Sequence, residues 1–558
     1  MSKDDWTMYR LFPTLACLLF GGFVVVPGPT LAAAVPVAGG VPVDVVIDAG
    51  ADRHPISPLI YGVNFGTTAL LKELNAPLNR SGGDSASLFN WRLDARNAGK
   101  DWYFESLRCT DDIFDQYGDG FVAQTRAGGA RPMLTIPMIG WVAKLDPAGR
   151  PLASFAIGNY GLQQASDLSG FADAGNGIAI DGAEITDNDP NDAAIPDTAD
   201  DEKQWLRHLV ARWGGAASGG VPYYILDNEP SAWHRIHRDV QPVGARARDI
   251  AVKVEAYAAM VKSVDPQGKV VAPEEWGWGG YRYSGYDQQY AVHHGFDAAP
   301  DRREQTDGMD YLPWLLTQWK AAGHPVDVVS VHYYPQGGEY GDNHDDVSPE
   351  MQLLRNRSTR DLWDPHYRNT TWINDTVMLI PRLRHWVDTD YDPHTPIAIT
   401  EYNWGGEASM NGATTEADIL GIFGREGLDI ANRWAAPASG SPTFLAMKLY
   451  RNYDGQDGGF GDTSIAARVP DPDAVSAFAA LRAADGAMTI MVINKQLATP
   501  AEVRMTLGHF ADHGSQQAYQ LAEGQIDRLA PGTYSDGVLG AALPAQSVTL
   551  FVLHGVAR

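Results

Sequence analysis

Two cysteines among 558 residues exclude a disulfide-stapled scaffold, and because Cys17 falls in an N-terminal leader the exported chain is expected to carry a single thiol, Cys109. Nothing around Leu107-Arg108-Cys109-Thr110 offers a base, so Cys109 reads as a small packing side chain rather than a nucleophile. Basic residues are scarce as well: 43 Lys and Arg stand against 69 Asp and Glu, a formal charge of −26 at pH 7. That balance excludes nucleic acid and anionic membrane as partners and is compatible with an uncharged one. Beyond the leader no apolar run reaches the roughly 20 residues that a membrane span needs. The 58 Gly and 35 Pro stay short of the roughly 25–30% that marks low-complexity chains. What is present is 44% apolar residues, enough to bury a large core.

Residues 1–34 hold Lys3 and Arg10, an apolar stretch from Leu11 to Val26, Pro27-Gly28-Pro29 and the small-residue run Leu31-Ala32-Ala33-Ala34. This is the pattern of a cleaved secretory signal, so a secreted protein is expected, extracellular or periplasmic, with no membrane attachment after cleavage.

Further on, eight short apolar runs alternate with helical or loop segments: Leu59–Asn64, Pro77–Arg80, Pro132–Pro137, Tyr223–Glu229, Lys269–Glu275, Val326–His332, Pro396–Glu401 and Thr443–Tyr450. Eight strands separated by helices predict an α/β fold, a (β/α)8 TIM-like barrel whose functional groups gather at the C-terminal strand ends. Ile250, Val254, Tyr257, Val261 and Val264 form a helical stripe ending near Gly268, and Thr415-Glu416-Ala417-Asp418 resembles a capping box ahead of Ile419, Phe423, Ile430 and Trp434 on one face. From about Pro470 strand-like runs take over, including Met488–Ile493, Ala501–Leu507 and Ser547–Leu553. They predict an accessory antiparallel β-sandwich domain. The expected division is a signal peptide at 1–34, an N-terminal strand joining the sandwich at 35–57, the catalytic barrel at 58–468 and the sandwich at 469–558.

The most informative segment is Tyr223-Tyr224-Ile225-Leu226-Asp227-Asn228-Glu229-Pro230, an apolar strand that ends in a polar tip carrying one carboxylic acid; Pro396-Ile397-Ala398-Ile399-Thr400-Glu401-Tyr402-Asn403-Trp404 repeats the design. Cleaving a glycosidic bond requires one protonated carboxyl to assist the leaving oxygen and one ionised carboxyl to attack or stabilise the anomeric carbon. Glu229 and Glu401 can supply both, from strands across the barrel mouth that could set their carboxyls ~5–5.5 Å apart, as a retaining mechanism needs. Asn228 is the candidate partner of a sugar 2-hydroxyl, Arg80 the cation that holds Glu401, and Tyr333 or Tyr334, beside His332, a second hold. For His332 a structural role at the barrel mouth weighs equally with substrate contact. Trp91, Trp102, Trp141, Trp276, Trp278, Trp404 and Tyr450 crowd the same tips, where indoles can pack on sugar rings.

Leu226-Asp227-Asn228-Glu229-Pro230, Ala272-Pro273-Glu274-Glu275-Trp276-Gly277-Trp278, Val331-His332-Tyr333-Tyr334-Pro335-Gln336, Ile399-Thr400-Glu401-Tyr402-Asn403-Trp404-Gly405 and Lys448-Leu449-Tyr450-Arg451-Asn452-Tyr453-Asp454-Gly455 resemble, in order, the motif series of glycoside hydrolase family 44. The resemblance runs from about Val43 to the C-terminus. It implies a TIM-like barrel joined to a β-sandwich and a retaining endo-β-1,4-glucanase that often also cleaves xyloglucan, with Glu229 as acid/base and Glu401 as nucleophile. From the strand tips together, the candidate substrate-binding residues are Arg80, Asn228, Trp141, Glu275, Trp278, His332, Tyr334, Trp404 and Tyr450.

No cofactor is required for that chemistry. Some family members carry calcium, for which the acidic stretch Asp187-Asn188-Asp189-Pro190-Asn191-Asp192 is the candidate, although its spacing fits no EF-hand loop and a solvated loop is the plainer expectation. The chain departs from the family at Asn79-Arg80-Ser81-Gly82-Gly83-Asp84 and Ser87-Leu88-Phe89-Asn90-Trp91, where members tend to have Asn-Arg-Trp-Gly-Gly-Asn and Thr-Arg-Tyr-Asn-Trp. Ser81 lacks an indole and Leu88 a guanidinium, which puts the subsites and the preferred polysaccharide in question before the reaction. The expected partner is a β-glucan acted on by a monomer. Xyloglucan, mannan or mixed-linkage glucan are the alternative main substrates, and a non-catalytic carbohydrate-binding protein is the alternative of another class.

Overall fold

A computed structural model of the chain describes residues 40–110, 116–341 and 343–555. The expected signal peptide, with Cys17, lies outside the described residues. Eight parallel strands close a barrel: β1 (Gly62–Asn64), β2 (Leu78–Ser81), β3 (Arg131–Ile136), β4 (Tyr223–Leu226), β5 (Lys269–Glu275), β6 (Val328–Tyr333), β7 (Ile397–Tyr402) and β8 (Ile430–Arg433). Strands covered on both faces read as unbroken apolar runs, and every residue of β4, β6 and β7 is buried. The ring closes where β8 pairs β1, Asn432 opposite Gly62, and β1 pairs β2, Val63 opposite Asn79. Leu78, Met133, Ile225, Val271, Val328, Ala398 and Ile430 meet inside as an apolar floor. Chemistry can therefore be reached only from the C-terminal mouth.

Helices cover the barrel as the periodicity predicts over Ala247–Val264, where Ile250, Val254, Tyr257 and Val261 are buried. Around the eighth strand the prediction fails. Thr443–Tyr450 lies in a helix, Pro442–Arg451, because the Ser441 hydroxyl caps the Phe444 amide and Pro442 occupies the first turn. The true eighth strand is the four-residue run Ile430–Arg433. Its apolar residues imitate a continuation of the preceding helix, which spans Met410–Arg425, is capped by Ser409 and stops before Gly427 at φ 68°. Thr415–Asp418 is thus mid-helix, not a cap. Fourteen consecutive residues of that helix, Asn411–Gly424, are buried because it is wedged between the barrel and the second domain. Gly421 is obligatory there, since a Cβ would stand 2.1 Å from the Phe478 ring.

The second domain is an 11-stranded curled sheet with its own apolar core, including Val45, Ile47, Val492, Met505 and Leu553. Val41–Asp48 joins it, running parallel to Ala501–Gly508 and antiparallel to Thr463–Arg468. Thr463–Arg468, placed with the barrel by the sequence division, pairs within this sheet. A buried ion pair, Lys495 Nζ to Asp418 Oδ2 at 2.9 Å, ties the domains together. Among the described residues no helix is long and apolar enough to cross a membrane.

Candidate active site

Two irregularities at the barrel mouth gather the polar groups. On β5, Pro273 pairs Ser330 and Glu275 pairs Val331, so Glu274, at φ 59°, is an extra residue bulged from the strand. On β7, Ile399 pairs Val331 and Glu401 pairs His332, which makes Thr400 a second extra residue. A bulge re-aims side chains that strict alternation would send outward. Here the two inserted residues meet, the Thr400 hydroxyl donating to Glu274 Oε1 at 2.9 Å. The tip of β4 is held in a sparsely populated conformation, with Asp227 at φ 64° and Glu229 at φ 46°. Asp227 keeps it there by accepting the amides of Met138 and Ile139 and the hydroxyl of Ser87.

Arg80, on β2 and fully buried, is the hub. Its Nη1 donates to Glu401 Oε1 at 2.7 Å and Asn64 Oδ1 at 3.0 Å, and its Nη2 to Glu274 Oε2 at 2.9 Å and Asn228 Oδ1 at 3.1 Å. Tyr334 donates its hydroxyl to Glu401 Oε2 at 2.8 Å, so each oxygen of Glu401 has a donor. His332 stands between three acids, its Nδ1 2.8 Å from Glu229 Oε1 and 3.6 Å from Glu401 Oε2, its Nε2 3.1 Å from Glu274 Oε2. One oxygen of Glu229, one of Glu401 and one His332 ring nitrogen all lie within 4.8 Å of one another.

The electrostatics set Glu229 apart from Glu274. Burial pushes the Glu229 carboxyl above its ordinary range, and the hydrogen bond and charge of His332 offset that only in part. Burial would raise Glu274 too, but Arg80 and the bonds from His332 and Ser330 outweigh it and bring it to about 2. Burial disfavours the His332 imidazolium, yet Glu401, Glu229 and Glu274 overcome this and raise it to about 10. A protonatable acid, a permanently ionised one and a fixed cation therefore sit in one cluster.

A groove of about 1210 Å³ borders the cluster at Gly82-Gly83-Asp84 and is lined also by Asp101, Trp102, Tyr340, Asn403 and Trp434 among others. Its Gly82-Gly83 bend admits no side chain: a Cβ on Gly82 would meet Arg80 Cζ at 2.4 Å, and one on Gly83, at φ 77°, would meet the Trp434 indole at 2.5 Å. Asn228 Nδ2 donates to Asp84 Oδ1 at 3.0 Å, linking groove and cluster.

Arg80, Asn228, Glu229, His332, Tyr334 and Glu401 thus converge. Glu275 lies behind them, fully buried, accepting the Ser231 hydroxyl at 2.5 Å; burial, eased by that bond, lifts it to about 8. Tyr450 is a correction: it sits on the Pro442–Arg451 helix, 1% exposed, with its hydroxyl on Ala417 O. Trp404 is 2% exposed and bonded to Ser358 Oγ, and Trp278 is covered by the guanidiniums of Arg282 and Arg382, so both indoles pack inside the fold rather than face a ligand. Trp141 is half-buried in a two-stranded ribbon with Ala194–Pro196. Ser81 and Leu88 are also buried, and neither lines the groove. In the acidic stretch Asp189 caps Asn191 and Asp192 accepts the Tyr160 hydroxyl.

Sequence reasoning missed Glu274, because a two-residue period points Glu275 inward in its place, and Trp434, because it was counted on a helix face.

Comparison with known proteins agrees with this geometry. The model of glycoside hydrolase family 44 matches residues 95–337. The crystal structure of CelM2, a bifunctional glucanase-xylanase from a metagenome library, is 52% identical, covers 92% of this chain and 99% of that one, and superposes with a TM-score of 0.89. Endoglucanase A of Paenibacillus lautus is 29% identical over 495 residues, and beta-mannanase/endoglucanase A of Caldicellulosiruptor saccharolyticus 27% over 506, each across 83% of this chain. The chain spans 65% and 35% of the lengths of those two curated relatives.

Proposed function

Because the chain belongs to glycoside hydrolase family 44, we propose that it is a secreted, retaining endo-β-1,4-glucanase acting on cellulose-type glucans and xyloglucan. The observation that carries this reading is the approach of Glu229 and Glu401 oxygens to within 4.8 Å. Retaining enzymes keep their two carboxyls roughly 5–5.5 Å apart, whereas inverting ones need roughly 6.5–9.5 Å to admit a water. In the first step an oxygen of Glu401 bonds to the anomeric carbon as the glycosidic C–O bond breaks, and Glu229 gives its proton to the departing oxygen. In the second, Glu229 takes a proton from water, the water oxygen bonds to the same carbon, and Glu401 leaves as a carboxylate. Asn228, fixed by Arg80 and Asp84, presents its remaining amide hydrogen to the sugar 2-hydroxyl. The groove exceeds the room one sugar requires, which suits cleavage within a chain.

Xylan and mannan backbones share the β-1,4 linkage, and the relatives' names make them the second reading. Sugar release from a panel of soluble glucan, xyloglucan, xylan and mannan ranks the substrates, and proton NMR of the first product reports the anomer. Glu401→Gly with azide should return a glycosyl azide of inverted configuration. An initial α-anomer, or no azide adduct from a folded variant, would sink the retaining mechanism.

A further inference from the structure

Glu274 forms no bond to substrate in that scheme, yet it is 0% exposed and both its oxygens are engaged: Oε1 by Thr400, Oε2 by Arg80 and His332. Among the bonds of the cluster its route to Glu229 runs through His332, whose opposite nitrogen is 2.8 Å from Glu229 Oε1. Arg80 Nη2 and His332 Nε2 approach to 3.3 Å across the oxygen they share, an arrangement for two cations only if that oxygen is an anion.

The charges can be followed through the reaction. Before bond cleavage, Arg80 and His332 are balanced by Glu274 and Glu401, so the enclosed cluster is neutral while Glu229 keeps its proton. When Glu401 becomes a glycosyl ester it loses its charge, and balance returns only if Glu229 is ionised. The same two cations and two anions are present at each stage, with one negative charge moved from Glu401 to Glu229.

We propose that Glu274 is a positioning residue that holds His332 as a fixed donor to Glu229 and, by balancing the second cation, ties the proton of Glu229 to the charge on Glu401. The inference rests on the roles given above to Glu229 and Glu401. Without the Glu274 charge, the Glu229–His332 pair would balance Arg80 and Glu401 by carrying one proton fewer, and imidazole would keep the proton that remains because it is the stronger base. Glu229 would then lose its acid form. Arg235, Glu275, Asp84, Asp101 and Tyr281 also face Glu229, and Tyr334 faces Glu401. Those groups are retained when Glu274 alone is changed.

Glu274→Gln tests the idea with little disturbance of shape, since the amide oxygen can still accept from Arg80 and His332 and the amide nitrogen can donate to Thr400. Carbon-13 NMR of protein labelled at the glutamate carboxyls, with Glu229 identified by its loss in Glu229→Gln, should place the Glu229 midpoint about one pH unit or more lower than in the parent. The alkaline limb of kcat/KM on a gluco-oligosaccharide should move down with it. The rate on 2,4-dinitrophenyl β-cellobioside, whose leaving group needs no proton, should change little. Glu274→Asp, which keeps the charge but draws it back from His332, should give a smaller shift in the same direction, and it stands in if the glutamine variant does not fold. An unchanged Glu229 midpoint in a folded variant, or equal loss on both substrates, overturns the proposal. A parent protein that cuts no β-1,4-glycan would overturn the functional reading instead, and the Glu229 midpoint would still decide the role of Glu274.

Discussion

Replacing Arg80 by lysine keeps one positive charge in the barrel but offers one nitrogen where the guanidinium uses two. Nη1 serves Glu401 and Asn64, Nη2 serves Glu274 and Asn228, and an ammonium cannot occupy both places. At least one charge-assisted bond to a carboxylate is lost, worth about 1.5–3 kcal/mol, and Asn228 loses its fixed orientation as well. The expected loss in kcat/KM on a soluble glucan is therefore roughly 10- to 150-fold. Arg80→Met goes further and leaves Glu274 buried without its cation. In the parent, Glu274 sits at about 2 in place of 4.5, a difference of roughly 3 kcal/mol in favour of the folded state once the unfolded chain is ionised. Because the folded value is depressed, this stabilisation is complete above about pH 4.5 and is lost as pH falls through about 2. The methionine variant should thus be less stable by about 3–5 kcal/mol at pH 7, with the deficit shrinking in denaturant titrations below pH 4. A lysine variant within fivefold of the parent, or a methionine deficit equal at both pH values, would refute the reasoning.

Tyr334→Phe removes the donor to Glu401 Oε2 and should lower kcat by roughly 10- to 100-fold with KM little changed, as steady-state kinetics would report. Trp434→Ala empties one wall of the groove and should raise KM for oligosaccharides several-fold while hydrolysis of a short aryl glycoside changes less; equal effects on both would place the indole outside the binding path. Glu202 is fully buried against Asp197, no donor among the described residues reaches its oxygens, and burial pushes its carboxyl well above the usual range. An acid raised on folding destabilises increasingly as pH climbs past its unfolded value. Glu202→Gln should therefore melt about 2 °C or more above the parent at pH 8 and no higher near pH 5, as scanning calorimetry would show.

Strand identity was legible wherever an apolar run ended in polar residues, because a strand enclosed on both faces and open at one tip leaves that composition behind. Six of the eight barrel strands follow this pattern, and β3, which runs on into Pro137-Met138-Ile139, was legible from its apolar run alone. The eighth was not legible, since Ile430–Arg433 holds only four residues and its apolar positions continue the period of the helix before it. The cap formed by Ser441 and Pro442 was the available signal that Thr443–Tyr450 is helical. For the aromatics, sequence could place them near strand ends but not say which way they turn. Trp404 and Trp278 turn into packing, while Trp434, which the sequence placed on a helix face, turns into the groove.

The sequence by itself determined the barrel, its sandwich partner, the two glutamates and the arginine, tyrosine and asparagine around them, because each follows from a local pattern or a motif of consecutive residues. Tertiary structure alone decided that Glu274, not Glu275, faces the centre, and that His332 links it to both Glu229 and Glu401. Those facts depend on two bulges in neighbouring strands. A bulge is a matter of register between segments far apart in the chain, and register leaves no trace in the residues of one strand read alone.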